Sequence, residues 1–243
     1  MYKTFSILLC LLFSLSMTSS RANNGYELTL TTEEYPPFNF TDKTNNKITG
    51  IVTDIVREAL HRSNIKYSLR LLSWQRAIFL ARHKENTCVY STTVTPERLP
   101  EFKWVGPLIN NKWVFMGRRN SAITLNSIED AKPYKIGGYL GDATALYLEK
   151  LGMNVDAADN DLQNPTKLKM GRIDLWATGH LLGPYYAREA NVKNLEIIYI
   201  FKEIEMSLAC NKSVPDQVIS TLNYTLKKMT EDGFMLEIQA KYR

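Results

Sequence analysis

The chain has 243 residues, of which 44% are hydrophobic and 23% are charged. This composition is typical of a globular protein with one or two domains, and it excludes a disordered tail, a collagen-like repeat and a protein with several membrane spans. The formal net charge of +5 is mild, and three cysteines are too few for a scaffold built on disulfides.

The first 22 residues have the layout of a secretory signal peptide. A basic start precedes a hydrophobic run from Phe5 to Met17, which is too short to cross a bilayer that needs about 20 helical residues. Small residues follow at Ser20 and Ala22, the positions that a signal peptidase reads. We therefore predict a mature chain that begins near Asn23 in the periplasm. Cleavage there leaves 28 basic and 25 acidic side chains, a balance without the basic stripe of a nucleic-acid-binding protein.

Strands and helices are predicted to alternate along the mature chain. Alternating or continuous apolar runs predict strands at 26–32, 67–72, 88–92, 113–118, 135–139, 174–178, 197–201 and 206–210, and helical spacing predicts helices near 51–64, 74–82, 141–151, 215–232 and 234–242. This alternation indicates an α/β fold whose mixed, mainly parallel sheets carry helices on both faces. The pattern restarts near residue 113 without a Gly/Ser linker, which indicates two lobes.

The mature chain keeps two cysteines, Cys88 and Cys210, and both fall in strand-like runs. In an oxidising compartment they can form a disulfide bridge, whereas as buried free thiols they would behave as small hydrophobic residues. Two cysteines so far apart do not have the spacing of a metal site, and we predict no metal and no cofactor.

Arg98 is the sharpest candidate for binding a ligand. It follows the strand at 88–92, at the kind of strand end where open α/β sheets bind ligands. A guanidinium group can grip a carboxylate with two parallel hydrogen bonds. Ser91 and Thr93 end the same strand and belong to the predicted binding set, because backbone N–H groups near Thr93 would add donors. The alternative is a solvated surface arginine.

A second candidate site opens the helix at 141–151. Gly141 and Asp142 stand at its start, where free backbone N–H groups attract an anion. Asp142 can instead be a simple N-cap. Its carboxylate would repel a ligand anion but would attract a ligand ammonium group.

Three aromatic residues complete the candidate ligand-binding residues that residue type and position alone suggest. Tyr35, Phe38 and Trp74 follow predicted strand ends, where their rings would stack on the body of a ligand or on a cation. The alternative is that these rings belong to the hydrophobic core, as isolated aromatic residues usually do.

Seven short motifs run through nearly the whole mature chain in a specific order. They are Tyr35-x-Pro37-Phe38, Gly50 with Asp54, Trp74, Thr92–Arg98, Phe102–Pro107, Gly171–Asp174 and Asp232-Gly233. Together they resemble the family 3 extracellular solute-binding proteins, the periplasmic receptors of polar amino acid ABC transporters. The resemblance implies a two-lobed, type II-like periplasmic-binding-protein (Venus-flytrap) fold that closes on its ligand by a hinge motion. It also implies a first lobe at 23–108 plus 203–243 and a second lobe at 109–202.

The resemblance implies that Arg98 holds the carboxylate of the ligand. It also reveals a departure, because amino acid receptors of this family carry an ammonium-binding aspartate where this chain has Gly179, between Thr178 and His180. Thr178 and His180 are predicted to line the cleft. We expect a small carboxylate-bearing ligand, with an amino acid or a derivative as the first candidate. The sheet order of the family places the strands of Cys88 and Cys210 side by side, and this implies the disulfide bridge.

The partners implied are a small-molecule ligand and either an ABC permease or a membrane sensor, with the binding protein as a monomer. No catalytic residue is predicted, because the chain lacks a nucleophile elbow and a P-loop. Its three histidines, His61, His83 and His180, also lack metal-ligand spacing. Cyclohexadienyl dehydratases resemble the same family, and an enzyme of that kind would need a well-placed acid in the cleft.

Overall fold

The structure, a computed structural model, describes residues 26–242, so the predicted signal peptide lies outside the described residues. The strands are β1 (Glu27–Thr32), β2 (Phe40–Asp42), β3 (Lys47–Thr49), β4 (Lys66–Leu71), β5 (Thr87–Thr93), β6 (Lys103–Arg118), β7 (Ile136–Tyr139), β8 (Val155–Ala158), β9 (Leu175–Gly179) and β10 (Leu195–Cys210). The helices are α1 (Ile51–Arg62), α2 (Trp74–His83), α3 (Ala143–Lys150), α4 (Asn164–Lys169), α5 (Leu182–Glu189), α6 (Asp216–Glu231) and α7 (Phe234–Lys241). None of the helices in this range is long and apolar enough to span a bilayer.

The strands form one continuous sheet in the order β4-β1-β5-β10-β6-β9-β7-β8, and β2 pairs with β3 as a separate hairpin. Strand β1 runs parallel to β4 and β5, and β7 runs parallel to β8 and β9. The central strands β6 and β10 are antiparallel to each other and to their outer neighbours β9 and β5. This mixed α/β architecture with helices around the sheet confirms the predicted fold class.

Two long strands, β6 and β10, run through both halves of the sheet, each over 16 residues. Their register extends from Lys103 opposite Cys210 to Arg118 opposite Leu195. The sequence prediction covered only 113–118 of β6 and divided β10 into 197–201 and 206–210, because polar side chains such as Glu203 interrupt the apolar pattern of β10. A strand that leaves one core and enters the next is exposed between them, so its middle does not need to be hydrophobic.

The hydrophobic residues of the two ends of the sheet form separate cores. The first core packs α1, α6 and α7 against β1 and β5, with Leu28, Ile55 and Leu222 among its fully buried side chains. The second core gathers around β7 and β9, with Ile136 and Leu175 at its centre. These cores correspond to two lobes, whereas the exact boundaries at 108/109 and 202/203 remain a prediction.

Helix α1 shows how the sequence builds the first lobe. Its apolar residues recur at helical spacing and are buried along one face: Ile51, Val52, Ile55, Val56, Ala59 and Leu60. Each fully buried large aliphatic side chain contributes about 1.5–3 kcal/mol. Gly50 precedes the helix with a φ of 121°, and a Cβ there would lie 2.4 Å from the carbonyl oxygen of Phe38. The tight turn into α1 therefore requires glycine.

Several elements were absent from the sequence prediction. Strand β8 and helices α4 and α5 were not predicted, and the segment 43–50, predicted as a polar turn, contains half of the β2–β3 hairpin. These elements are short, between three and eight residues. Such pieces carry too little periodicity to separate them from loops.

The predicted bridge between Cys88 and Cys210 is present. The two residues lie directly opposite each other on β5 and β10, with their Cα atoms 4.0 Å apart, and both are fully buried. The bridge links positions separated by 122 residues, so it joins the start of β5 to the end of the strand that returns from the second lobe.

We predict that removing this bridge by a Cys88→Ala/Cys210→Ala double substitution lowers the free energy of unfolding by about 2–5 kcal/mol, because the unfolded chain loses a long-range constraint. Urea denaturation of the wild type and the variant measures the difference. Alkylation without a reductant provides the control: modification of both thiols in the native wild-type protein would contradict the bridge.

Candidate ligand-binding site

Two cavities lie between the lobes. The first, which we call the acidic cavity, has a volume of about 690 Å³ and is lined by Glu33, Glu34, Tyr35, Asp142, Asp159, Asp161, Thr178, Tyr186 and neighbouring residues. The second, the arginine cavity, has a volume of about 860 Å³ and is lined by Trp74, Ile78, Thr93, Arg98, Gly141, Tyr147 and neighbouring residues. The acidic cavity lies where β1, β4, β7, β8 and β9 end, at the carboxyl edge at which α/β sheets bind ligands.

A cross-lobe contact between Trp74 and the loop after β7 stands between these cavities. The indole Nε1 of Trp74 donates a hydrogen bond of 2.9 Å to the carbonyl oxygen of Gly141. The backbone N–H of Trp74 donates a longer bond of 3.4 Å to the hydroxyl of Tyr139. The two lobes therefore meet through polar atoms at a point where a cleft would open.

Arg98 lies in the arginine cavity and is 95% buried, with a relative exposure of 5%. Its guanidinium carbon is 5.0 Å from the centre of the Trp74 ring, and its nitrogens donate bonds of 3.4 Å to the carbonyl oxygens of Thr93 and Gly141. Burial lowers the pKa of Arg98, and the nearby carboxylate of Asp142 opposes this shift. The side chain stays charged, because an arginine is not deprotonated in a protein.

The acids around Arg98 do not neutralise it. Glu101 pairs with Arg82, and Glu97 pairs with Lys150, at 2.9 and 2.7 Å respectively. None of the ion pairs within residues 26–242 includes Arg98. A buried cation is costly unless it is paired, so the geometry leaves Arg98 able to accept an anionic partner.

Asp142 has two roles in the structure. Its carboxylate accepts a hydrogen bond of 2.8 Å from the backbone N–H of Thr144, so it is the N-cap of α3. The same residue lines the acidic cavity, next to Gly141 in the arginine cavity. Asp142 therefore stands at the junction of the two cavities.

The space at Gly179 is already occupied. A Cβ at this position would lie 2.8 Å from the hydroxyl oxygen of Tyr35 and 3.3 Å from the amide nitrogen of Asn111. That nitrogen donates a hydrogen bond of 3.0 Å to the Tyr35 hydroxyl, and the ring of Tyr35 packs against Phe38. The tyrosine hydroxyl thus fills the place in which a side chain at 179 would lie, so an aspartate does not fit there without movement of Tyr35.

Three of the predicted site residues lie outside the lining of both cavities, within the part of the chain that is described. Phe38 is fully buried in the first core. The hydroxyl of Ser91 donates to the side chain of Asn39, which holds the loop after β1. His180 bonds through Nδ1 to the side chain of Asn111 at 2.9 Å. Burial and the nearby Lys112 lower the pKa of His180.

The remaining predicted residues divide between the cavities. Tyr35, Asp142 and Thr178 line the acidic cavity, whereas Trp74, Thr93, Arg98 and Gly141 line the arginine cavity. Sequence reasoning missed most lining residues of the acidic cavity, among them Glu33, Tyr139, Asp161 and Tyr186. Glu33 follows the end of β1 by one position and could have been found by the rule that drew attention to Tyr35. Asp161 follows β8, a strand too short to be predicted, so no sequence signal pointed to it.

Two acids of this cavity have strongly perturbed proton affinities. Burial raises the pKa of Asp161 to about 7, with a further contribution from the charge of Asp142. Burial also raises the pKa of Glu33 well above its usual range, and the charges of Asp142 and Asp161 act in the same direction. The three carboxyl groups therefore interact electrostatically across the cavity.

The chain belongs to a class of two-lobed proteins that bind solutes in a cleft, and comparisons with known proteins define the family. Residues 28–243 match the family model of the bacterial extracellular solute-binding proteins, family 3, and the chain belongs to this family. The chain is 21% identical over 216 residues to the L-cystine-binding protein TcyA of Bacillus subtilis, covering 88% of this chain and 80% of that protein. It is 23% identical over 241 residues to a probable histidine-binding protein of Campylobacter jejuni, covering 93% and 90%.

Solved structures show the same fold. A histidine kinase sensor domain with similarity to periplasmic binding proteins superimposes with a TM-score of 0.82 at 17% identity, covering 89% of this chain and 95% of that chain. An ancestral arginine-binding protein bound to arginine superimposes with a TM-score of 0.78 at 24% identity, covering 89% and 97%.

The fit of the Tyr35 hydroxyl against Gly179 can be tested with a double-mutant cycle. We predict that Gly179→Ala lowers the free energy of unfolding by about 1–3 kcal/mol, because the added methyl group overpacks a filled site. In a Tyr35→Phe background the same substitution should cost less, since the oxygen that it meets is gone. Urea denaturation of the four proteins measures the coupling, and equal costs in both backgrounds would contradict the assigned contact.

The pKa of Asp161 also predicts a pH dependence of stability. A carboxyl group that titrates near 7 when folded and near 3.8 when unfolded holds its proton more tightly in the folded state. The raised pKa therefore contributes its full stabilisation of the folded state below about pH 4, and this stabilisation is lost as the pH rises toward 7. The free energy lost is about 1.4 kcal/mol for each unit by which the folded and unfolded pKa values differ.

The matched variant is Asp161→Asn, which keeps an oxygen that can accept the bonds from Asn164 and Trp176. We expect its free energy of unfolding to fall less between pH 4 and 8 than that of the wild type. The control is Glu129→Gln, which removes an exposed acid of the second lobe outside both cavities. A parallel pH profile for the wild type and Asp161→Asn would exclude the raised pKa.

Proposed function

We propose that this protein captures a small carboxylate-bearing solute, an amino acid or an amino acid derivative, in the periplasm and delivers it to an ABC transporter as a monomer. Membership of the extracellular solute-binding family supports binding over catalysis and supports secretion. The relatives named for L-cystine and histidine, and the structural neighbour that holds arginine, support an amino acid as the class of ligand.

The observation that carries this proposal is the buried Arg98 guanidinium without an acidic partner. Its two hydrogen bonds to carbonyl oxygens, at 3.4 Å, are longer than the 2.7–3.2 Å of well-formed bonds. A ligand carboxylate would replace them with a bidentate, charge-assisted pair. The guanidinium carbon also lies 5.0 Å from the centre of the Trp74 ring, so an aromatic face supports the cation beside the place proposed for the carboxylate.

The same carboxylate would also connect the lobes. Arg98 belongs to the first lobe, whereas Gly141 and the first turn of α3 belong to the second. The dipole of α3 favours negative charge at its N-terminus, whereas the Asp142 carboxylate that caps this terminus opposes it. Arg98 would therefore supply most of the attraction for an anion between the lobes, and the backbone of the second lobe would add to it.

The test is the loss of affinity in Arg98→Ala. Ligands are first identified by a thermal-shift screen of amino acids, small organic acids and amines without a carboxylate, because a ligand that binds the folded state raises the midpoint of unfolding. Breaking a buried charge pair costs about 2–5 kcal/mol of binding free energy. We therefore expect the substitution to weaken binding by more than tenfold, as measured by calorimetry. Arg98→Lys should recover only part of the affinity, because an ammonium group does not copy the planar fork.

Arg82→Ala is the matched control, since Arg82 lines the same cavity but is paired with Glu101 and is more exposed. This variant should bind within a fewfold of the wild type. The proposal would be overturned if Arg98→Ala bound its ligand as tightly as the wild type, or if all ligands in the screen lacked a carboxylate.

A further inference from the structure

The acidic cavity brings together carboxyl groups that belong to different lobes. Glu33 follows β1 in the first lobe, whereas Asp142 and Asp161 belong to the second lobe. The charges of both aspartates raise the pKa of Glu33, and the charge of Asp142 raises that of Asp161. Like charges in a largely buried space repel one another strongly, because little water screens them. The two lobes therefore carry mutually repulsive groups at the surface on which they meet.

Basic side chains do little to relieve this repulsion. Lys43 is the single basic residue among those that line the cavity, and its ammonium group pairs with Glu189 at the exposed rim. Arg98 lies in the arginine cavity and lowers the pKa of Glu33, but less than either aspartate raises it. Two further carboxyl groups stand on the cavity wall: Glu34 and Asp159. The cavity thus keeps an excess of negative charge when all of its acids are ionised.

Neutral contacts between the lobes hold these acids at one level. The hydroxyl of Tyr186 in α5 donates a hydrogen bond of 3.0 Å to the backbone carbonyl oxygen of Glu34. The hydroxyl of Tyr139, at the end of β7, accepts the bond from the backbone N–H of Trp74. The same hydroxyl lies beside the carboxyl group of Glu33 and favours its ionised form. The proximity of Glu33 to the aspartates therefore lasts only while the lobes are together.

Asp161 has its hydrogen-bond partners within its own lobe. The side-chain amide of Asn164 and the indole of Trp176 both donate to its Oδ1, at 2.8 and 2.9 Å. Burial raises its pKa to about 7, although both of these bonds favour the ionised form. The residue is 8% exposed and lines the acidic cavity. Separation of the lobes would therefore admit water to its carboxyl group while both bonds remain.

We propose that Glu33, Asp142 and Asp161 form a proton-sensitive switch between the lobes, in which protonation favours the closed arrangement of the ligand-free protein and ionisation favours an open one. The structure shows the three groups in one cavity. A rotation about β6 and β10 would separate them without disturbing either core. The switch goes beyond the proposed function, because it needs neither a ligand nor Arg98.

The direction of the switch follows from the proton affinities of the two arrangements. In the open arrangement water reaches each carboxyl group and Glu33 is distant from the aspartates, so the pKa values return toward their usual range. In the closed arrangement the pKa of Asp161 is about 7 and that of Glu33 lies well above its usual value. Closure is therefore favoured most below about pH 4, and this advantage is lost as the pH rises through about 7. Each proton changes the ratio of closed to open molecules by up to about tenfold per pH unit in this range.

The tyrosines and the histidine nearest to these acids do not reproduce this effect. Burial is the main cause that raises the pKa values of four tyrosines on the cavity wall, so they stay neutral up to pH 8: Tyr35, Tyr139, Tyr185 and Tyr186. His180 follows Gly179 but lies outside the lining, and burial and the charge of Lys112 lower its pKa. Protonation of His180 therefore opposes the arrangement in which it is buried, and its effect has the opposite sign.

The experiment follows the shape of the mature chain without a ligand. The protein is freed of bound solute by dialysis from denaturant with the disulfide intact, and X-ray scattering gives its radius of gyration between pH 4 and 8.5 at constant ionic strength. We expect a reversible expansion as the pH rises, with a ratio of closed to open molecules that falls at least about tenfold between pH 5 and 7.5. Near-UV circular dichroism shows the pH range in which the protein stays folded, and only this range is compared.

Amide substitutions imitate the protonated acids. Glu33→Gln and Asp161→Asn should each keep more of the protein closed at pH 7.5, and the double variant should change its ratio by less than about threefold across the range. The matched control is Glu97→Gln. Glu97 also forms an ion pair across the lobes, with Lys150 at 2.7 Å, but it is exposed and Lys150 lowers its pKa to about 2. Because Glu97 stays charged throughout, its removal should leave the pH dependence of the wild type in place.

A radius of gyration that is independent of pH in the folded range would overturn the inference, as would expansion toward acid pH. The same holds if the double variant keeps the pH dependence of the wild type, or if Glu97→Gln abolishes it. Should Asp161→Asn fail to fold, Glu33→Gln alone decides the outcome. Because no ligand is present, these results are independent of the test of Arg98, and either proposal can fail without the other.

Discussion

The antiparallel pairing of β6 and β10 is the constraint on which the rest of this structure depends. These strands bond to each other along nearly their whole length and carry β5 on one side and β9 on the other. The chain passes from the first lobe to the second on β6 and returns on β10. Any rotation of one lobe against the other must therefore be absorbed in these two strands. Irregular register between Ile200 and Lys202, and between Met206 and Leu208, lies close to the level of the cleft, and such irregularities bend and twist a strand.

Because this pair fixes the lobes edge to edge, the carboxyl ends of the parallel strands of both lobes point into one cleft. Charge is distributed unevenly along it. Arg98 lies on one side of the contact between Trp74 and Gly141, and the carboxylates of the acidic cavity lie on the other side. The indole of Trp74 lies against the guanidinium and bonds to Gly141. Arg98 forms no ion pair within residues 26–242 and interacts with Asp142 and Glu33 only through their electric field.

A feature of this fold could be predicted from the sequence when it depends on neighbouring residues, and could not when it depends on contacts between distant parts of the chain. The burial of one face of α1 and the position of Arg98 after β5 depend on local periodicity and local turns, and both could be predicted. The continuity of β10 could not, because Glu203 and Glu205 interrupt its apolar pattern where it crosses between the cores. The position of Asp161 in the acidic cavity could not be predicted either, since it depends on Trp176 and on a strand too short to detect. Phe38 shows the opposite error, because a ring after a strand end packed into the core instead of the cleft.

The lack of space for a side chain at Gly179 is one such long-range effect, because it depends on Tyr35, a residue 144 positions earlier in the chain. The hydroxyl of Tyr35 fills the space beside it, so negative charge at this level of the cleft comes from other positions. Those positions lie on both lobes, with Glu33 on the first lobe and Asp142 and Asp161 on the second. In the structure these like charges lie together in a region of low dielectric, and their repulsion, added to burial, raises the pKa values of Glu33 and Asp161. A protonated carboxyl group does not repel its neighbours, so proton uptake by these acids lowers the cost of holding the two lobes together.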